Sequence, residues 1–79
     1  MQDSFSKDYI MFLDVLICVR KRHQFTQKEV AARLDKPLSF VSEYESGQRR
    51  LDVTEFCQIA EVLQACPVNL LREMGFVSE

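Results

Sequence analysis

A short break between two helical stretches in the middle of this chain constrains its fold more than any other feature. Before the break, Thr26-Gln27-Lys28-Glu29 has the form of a capping box, in which two side chains satisfy the first amides of a helix. Pro37 disfavours helical geometry at Lys36, yet suits the start of the next helix. Gly47 is suited to the left-handed cap that ends that helix. The sequence therefore predicts two short helices joined by a tight turn, over about 26–46.

Helical periodicity extends on both sides of this unit. From about Ser6 to Arg22 the chain has neither Gly nor Pro, and apolar residues recur at helical spacing, which predicts a first helix. Asp52-Val53-Thr54-Glu55 repeats the capping signature and opens a fourth helix, and Pro67 can begin a fifth that stops at Gly75. Because no stretch has the pattern of a strand, the prediction is an all-α fold of five short helices in one domain, residues 1–79.

The core positions follow from the same periodicity. In the third helix, Val41 and Tyr44 are expected to point inward. Cys57 is expected in the core rather than in a redox role, because it shares an apolar face of the fourth helix. That predicted face consists of Val53, Phe56, Cys57, Ala60 and Leu63.

Residues suited to catalysis or metal binding are sparse. Cys18, Cys57 and Cys66 are odd in number and have neither CxxC spacing nor nearby histidines, which argues against disulfides and zinc. His23 is the only histidine, and no nucleophile has a base at suggestive spacing. We therefore expect no enzyme, no metal and no cofactor. The apolar runs are well short of the roughly 20 residues of a membrane span, and we see no secretory signal, so a cytoplasmic protein with reduced thiols is expected.

The net charge of -2 conceals a division along the chain. From Arg20 to Arg50 there are eight basic and four acidic residues, a net charge of +4, while the remainder carries -6. One surface is therefore expected to face an anion such as the phosphate backbone of a nucleic acid. Chance segregation of charge is the alternative interpretation.

Two short helices with a break of three or four residues are typical of a helix-turn-helix, whose second helix enters the major groove of DNA. The segment FTQKEVAARLDKPLSFVSEYESGQRRLDVTEF closely resembles the phage-repressor-like regulators of the Cro and Xre type. The resemblance runs from about residue 12 to residue 74. It implies a compact five-helix fold of the lambda-repressor-like class that binds double-stranded DNA.

The resemblance also implies roles for individual residues. Arg20 and Glu45 occupy the positions of a structural ion pair between the first and third helices. The residues at the positions that usually meet base edges are Leu38, Ser39, Ser42 and Glu43. The expected phosphate contacts are Gln27, Ser46, Arg49 and Arg50, with Lys28 and Lys36 as weaker candidates.

Two positions depart from the family pattern. Related proteins often have glutamine where Leu38 stands and lysine where Glu43 stands, and both exchanges remove hydrogen-bond donors. Leu38 can still pack on a thymine methyl group, and Glu43 can accept a hydrogen bond from cytosine N4. Glu43 also repels phosphate. We therefore expect DNA reading by an altered code.

Two apolar stripes exceed what one small core needs. Met11, Val15 and Cys18 form a second stripe on the first helix. The segment of about 67–79 is also unusually apolar, through Leu70, Leu71, Met74, Phe76 and Val77. We expect a homodimer with this tail as its seam, reading half-sites about 34 Å apart on a palindromic operator. The alternative is that both stripes complete a monomeric core.

Two functional hypotheses remain open. The first is a sequence-specific transcriptional regulator, most simply a repressor, without a small-molecule ligand. The second is a protein-interaction module, such as an antitoxin or a regulator's partner, that has kept the fold and binds DNA weakly. The salt dependence of DNA affinity separates them, because phosphate contacts release counterions and apolar protein contacts do not.

Overall fold

The computed structural model describes residues 6–76, and five α-helices account for most of them. In chain order they are α1 Lys7–Arg22, α2 Gln27–Leu34, α3 Leu38–Ser46, α4 Val53–Val62 and α5 Pro67–Glu73. No strand occurs between residues 6 and 76, so the all-α prediction is confirmed. Within the same range, no helix is long and apolar enough to cross a membrane.

Local capping sets the helix boundaries. Thr26 Oγ1 accepts from the Glu29 amide at 3.0 Å, and Glu29 Oε1 accepts from the Thr26 amide at 2.8 Å. Asp52 and Glu55 form the same reciprocal pair at the start of α4, at 2.7 and 3.0 Å. Gly47 ends α3 with φ of +86°, in the left-handed region that favours glycine. These cap positions are those that the sequence predicts.

The turn between α2 and α3 is held by the backbone. Asp35 adopts the left-handed conformation, with φ of +60°, and its amide donates to Ala32 O at 3.1 Å. The Lys36 amide donates to Ala31 O at 2.9 Å, which satisfies another carbonyl at the end of α2. Pro37 is extended and precedes α3 directly. The two helices are therefore fixed relative to each other over a very short connection.

All five helices contribute to one core, in which α2 and α3 pack on each other and on α4 and α1. The largest side chains that are fully buried come from every helix. They are Leu16, Val19, Val30, Val41, Tyr44, Ile59, Leu63 and Leu70. This core holds α3 with its opposite face toward solvent.

The predicted inner face of α4 is partly wrong. Cys57 and Val53 are exposed, while Ile59, which the prediction omitted, is fully buried. The buried face is centred between Phe56 and Leu63, and at 3.6 residues per turn Cys57 lies roughly 100° away from that centre. Cys57 is therefore not a core residue.

Candidate nucleic-acid interface

The outer face of α3 presents the four residues expected to read bases. Leu38, Ser39 and Glu43 are exposed, and Ser42 is half-buried. On the other side of the same helix, Val41 is fully buried in the core. The helix is therefore oriented with this face outward.

Two serine hydroxyl groups of α3, those of Ser42 and Ser46, are turned toward the backbone of the helix. Ser42 Oγ donates to Ser39 O at 3.3 Å, and Ser46 Oγ donates to Glu43 O at 3.1 Å. In these rotamers each hydroxyl uses its proton within the helix and presents lone pairs outward. Together with the carboxylate of Glu43 and the apolar side chain of Leu38, the face offers hydrogen-bond acceptors and a methyl-packing surface. Such a face matches the exocyclic amino groups of cytosine or adenine and the methyl group of thymine.

A polar network behind α3 joins it to α1 and α2. Arg20 donates to both carboxylate oxygens of Glu45, through Nε at 2.7 Å and Nη2 at 3.1 Å. Arg20 Nη1 also donates to Phe25 O at 2.9 Å. Glu45 Oε1 accepts a further bond from Gln27 Nε2 at 2.8 Å. Arg20 and Glu45 thus lie together in a nearly buried, bidentate pair, and Gln27 is held by the same carboxylate.

Basic residues come just before α3 and just after it in the sequence. At its beginning, Lys36 Nζ lies 5.4 Å from the centre of the Phe40 ring. Beyond its end, Arg49 Cζ lies 4.8 Å from the centre of that same ring. Arg50 Cζ lies 4.8 Å from the ring centre of Tyr9, and Lys28 is exposed on α2. Two of these cations, Lys36 and Arg49, therefore lie on the same side of α3, while the four positions expected to read bases carry no Lys or Arg.

Two residues of this region were not anticipated as functional. Phe40 is nearly buried and lies against two of the expected phosphate contacts. Glu55 caps α4 and also accepts from Arg49 Nη2 at 2.6 Å. The capping signature pointed to Glu55 as a helix start, but no local pattern signals its second partner. Phe40 lies beside the core positions Val41 and Tyr44 of α3, so the sequence did not distinguish it from a residue that only fills the core.

In the structure, some residues of the expected dimer seam are buried in the core and others remain exposed. Leu70 and Met74 are only 1% and 2% exposed, so they belong to the core and are not available to a partner. Leu71 is half-buried and Phe76 is 47% exposed, while Val77 lies outside the described residues. Leu71 and Phe76 line an apolar groove of about 510 Å³. Its other apolar lining includes Tyr9, Phe12, Leu51, Val53, Phe56, Cys57 and Pro67.

The second stripe on α1 is also visible at the surface. Met11 is 43% exposed, Cys18 is exposed and Val15 is half-buried against the core.

Hydrogen bonds and burial shift the pKa values of Glu29, Cys66 and Tyr44. Hydrogen bonds from the backbone amide and then the hydroxyl of Thr26 lower the pKa of Glu29. The backbone amides of Asn69 and Val68, near the start of α5, lower the pKa of the Cys66 thiol. Burial raises the pKa of Tyr44 well above its usual range. In the described part of the chain, no group of His, Cys, Asp or Glu side chains could hold a metal ion.

Comparisons with known proteins agree with this geometry. A family model described as helix-turn-helix matches residues 19–71. Among solved structures, an XRE-family like protein from Pseudomonas syringae pv. tomato str. DC3000 is 43% identical and superposes with a TM-score of 0.83. The match covers 86% of this chain and 83% of that one. A comparison with curated proteins finds no match.

Proposed function

The chain belongs to the Cro and Xre type of helix-turn-helix DNA-binding regulators, and from this premise we propose that it represses transcription as a homodimer on a palindromic operator. The observation that carries the proposal is the outward face of α3, which is exposed and has the cations of Lys36 and Arg49 beside it. A helix held in this way fits the major groove while the flanking cations meet phosphates. The proposed repressor is a single-domain, non-enzymatic cytoplasmic protein that needs no cofactor and no small-molecule ligand.

Base reading is assigned to Leu38, Ser39, Ser42 and Glu43. Because this face is rich in acceptors, the favoured half-site contains bases with exocyclic amino groups opposite Glu43 and a thymine near Leu38. A guanine contact by Arg or Lys has no counterpart among these four side chains. Specificity therefore depends on cytosine, adenine and the thymine methyl group.

Phosphate contacts are assigned to two groups of residues around α3. Gln27 at the first turn of α2 is fixed by Glu45 and lies where the helix terminus favours an anion. The second group, Ser46, Arg49 and Arg50, lies at the C-terminal end of α3 and just beyond it. The full proposed set is Gln27, Lys28, Lys36, Ser46, Arg49 and Arg50. These contacts supply affinity that does not depend on base sequence and weakens as salt rises.

The dimer seam is proposed at the apolar groove beside α5. Leu71 and Phe76 are its contact residues, because the side chains of Leu70 and Met74 are already covered by the protomer itself. A two-fold axis through this seam would place two copies of α3 about 34 Å apart, to match half-sites one DNA turn apart.

The test is selection from random duplex DNA with purified protein at near-physiological salt, followed by sequencing of the retained molecules. We expect a palindromic site with half-sites about ten base pairs apart and little guanine preference on the strand facing Glu43. An enriched site without two-fold symmetry would contradict the dimer alone. No enrichment, together with DNA affinity that barely changes with salt, would favour the protein-interaction module, whose partner surface would be the apolar groove.

A further inference from the structure

One aromatic ring lies against two cations that come from opposite ends of α3. Lys36 precedes the helix and Arg49 follows it, yet both side chains approach the ring of Phe40, at 5.4 and 4.8 Å from its centre. The backbone brings Arg49 back along the helix, because its amide donates to Glu43 O at 3.2 Å. Two residues that are thirteen positions apart in sequence therefore share one neighbour.

The ring is itself fixed in place. Phe40 is 7% exposed and packs in an edge-to-face arrangement on Tyr44, with ring centres 5.6 Å apart. Tyr44 is fully buried, so the core determines where the Phe40 ring lies. A side chain held by the core in this way forms a rigid support for mobile groups packed against it.

Arg49 is also restrained from its other side. Its Nη2 donates to Glu55 Oε2 at 2.6 Å, and its Nη1 donates to Arg50 O at 3.3 Å. Glu55 is in turn anchored by the amide of Asp52 at the start of α4. A guanidinium has five N–H donors, so two bonds leave further donors that can meet an anion.

A ring orients a cation differently from a carboxylate. The negative face of the ring attracts the cation without neutralising its charge and without using a strong hydrogen-bond acceptor. Ordering a Lys or Arg side chain has an entropic cost, and a side chain that is ordered before binding avoids that cost when it meets its ligand. Packing on Phe40 therefore favours phosphate binding by Lys36 and by the N–H donors of Arg49 that its ion pair with Glu55 does not use.

We infer that Phe40 is a positioning residue that pre-orients Lys36 and Arg49 toward the DNA backbone on one side of α3. This inference rests on the proposed function, because it gives the two cations a phosphate to meet. Phe40 does not itself reach a base or a phosphate. Phe40 thereby determines the affinity for DNA that does not depend on base sequence and the position of α3 in the major groove. The exposed residues of α3 determine base preference.

The experiment compares Phe40→Leu and Phe40→Tyr with the wild type. The duplex affinity of each protein is measured over a series of salt concentrations, with the selected operator and with an unrelated duplex. Ile59→Val is the control for a loss of core packing, because Ile59 is fully buried in α4 and does not line the apolar groove. Thermal unfolding reports the stability of each variant.

We expect Phe40→Leu to weaken binding to both duplexes by about fivefold, and to make the log–log salt slope shallower by up to about 0.9 for each phosphate that the variant no longer neutralises. Phe40→Tyr should restore affinity to within about twofold, because it keeps a ring. Ile59→Val should lower the melting temperature without changing the salt slope. An unchanged affinity and slope in Phe40→Leu would overturn the inference, as would an equal change of slope in Ile59→Val.

A measurement on the wild-type protein without DNA keeps the test independent of folding and of the proposed function. In NMR spectra, side-chain resonances of Arg49 and Lys36 should be shifted upfield by the ring current of Phe40. Unshifted resonances would overturn the inference even if the protein binds DNA. If the resonances are shifted but the wild type binds no duplex at any salt concentration, the proposed function fails and the phosphate role assigned to Phe40 fails with it.

Discussion

Glu45 connects more of the structure than any sequence pattern around it indicates. Its carboxylate accepts from Arg20 of α1 and from Gln27 of α2, while its own backbone belongs to α3. The three helices α1, α2 and α3, which form the proposed DNA-binding side, therefore meet at one side chain. Charged groups removed from water in this way are well tolerated only while they remain paired.

We predict that Glu45→Ala lowers the free energy of unfolding by about 3 kcal/mol, because it leaves the nearly buried Arg20 without its carboxylate. Urea unfolding followed by circular dichroism provides the measurement. Arg22→Ala is the control, since Arg22 pairs with Glu73 at 3.4 Å on the surface and should change stability by less than about 1 kcal/mol. Equal effects of the two variants would contradict the prediction.

We predict that Glu43→Gln changes base preference at one operator position from cytosine toward adenine, by roughly 1 to 3 kcal/mol. The reason is that a carboxylate only accepts hydrogen bonds, whereas an amide can both accept from adenine N6 and donate to N7. Competition binding with operators that differ at single positions measures the change. A uniform gain in affinity for all sequences would show instead that Glu43 acts only by repelling phosphate.

At the level of helices, the boundaries depend on short-range interactions. The two capping boxes each join residues three positions apart, and Gly47 supplies a backbone conformation that other residues adopt with strain. The start of α2 matters most for function, because Gln27 directly follows Thr26 there. A change at this cap should therefore affect both stability and the proposed phosphate contact.

Thr26→Ala is predicted to lower the free energy of unfolding by about 1 kcal/mol, because the Glu29 amide loses its acceptor. Thr54→Ala serves as the control, since Thr54 is an exposed residue inside α4 and has no cap position. Chemical denaturation of both variants measures the difference. A destabilisation as large in Thr54→Ala would mean that the cap is not the cause.

The stability that the cap at the start of α2 contributes should fall as the pH is lowered. Hydrogen bonds from Thr26 lower the pKa of Glu29, so its stabilising effect is present above the ordinary carboxyl value of 4.5 and is lost as pH falls through the lowered value. The stability difference between wild type and Glu29→Gln should therefore be larger at about pH 7 than at about pH 3. Denaturation curves at both pH values measure it. A constant or growing difference toward low pH would refute this account.

At the level of the whole molecule, the outer face of α3 and the apolar groove are formed by different helices. The groove is lined by the start of α1, by residues 50–53 and by parts of α4 and α5, and it includes Arg50, a proposed phosphate contact. A partner copy seated at the groove would leave α3 uncovered. The division of charge along the chain, with +4 between residues 20 and 50, agrees with this arrangement.

We predict that Phe76→Asp converts the proposed homodimer to a monomer, because it puts a charge into the proposed apolar seam. Met11→Asp is the matched control, since Met11 is similarly exposed but lies on the second stripe of α1. Sedimentation velocity gives the oligomeric state, and operator affinity should fall together with dimerisation. A monomer produced by Met11→Asp and not by Phe76→Asp would move the seam to α1.

The sequence by itself determined the helices, the turn and the family, because caps, breaks and periodicity act between residues a few positions apart. It also indicated which face of α3 is outward, since the buried positions of a single helix follow its period. By contrast, only the tertiary structure decided that Leu70 and Met74 are core, that Cys57 is exposed, and that Phe40 meets both Lys36 and Arg49. These properties depend on how helices from distant parts of the chain pack together, and local sequence does not specify which neighbour each residue will meet.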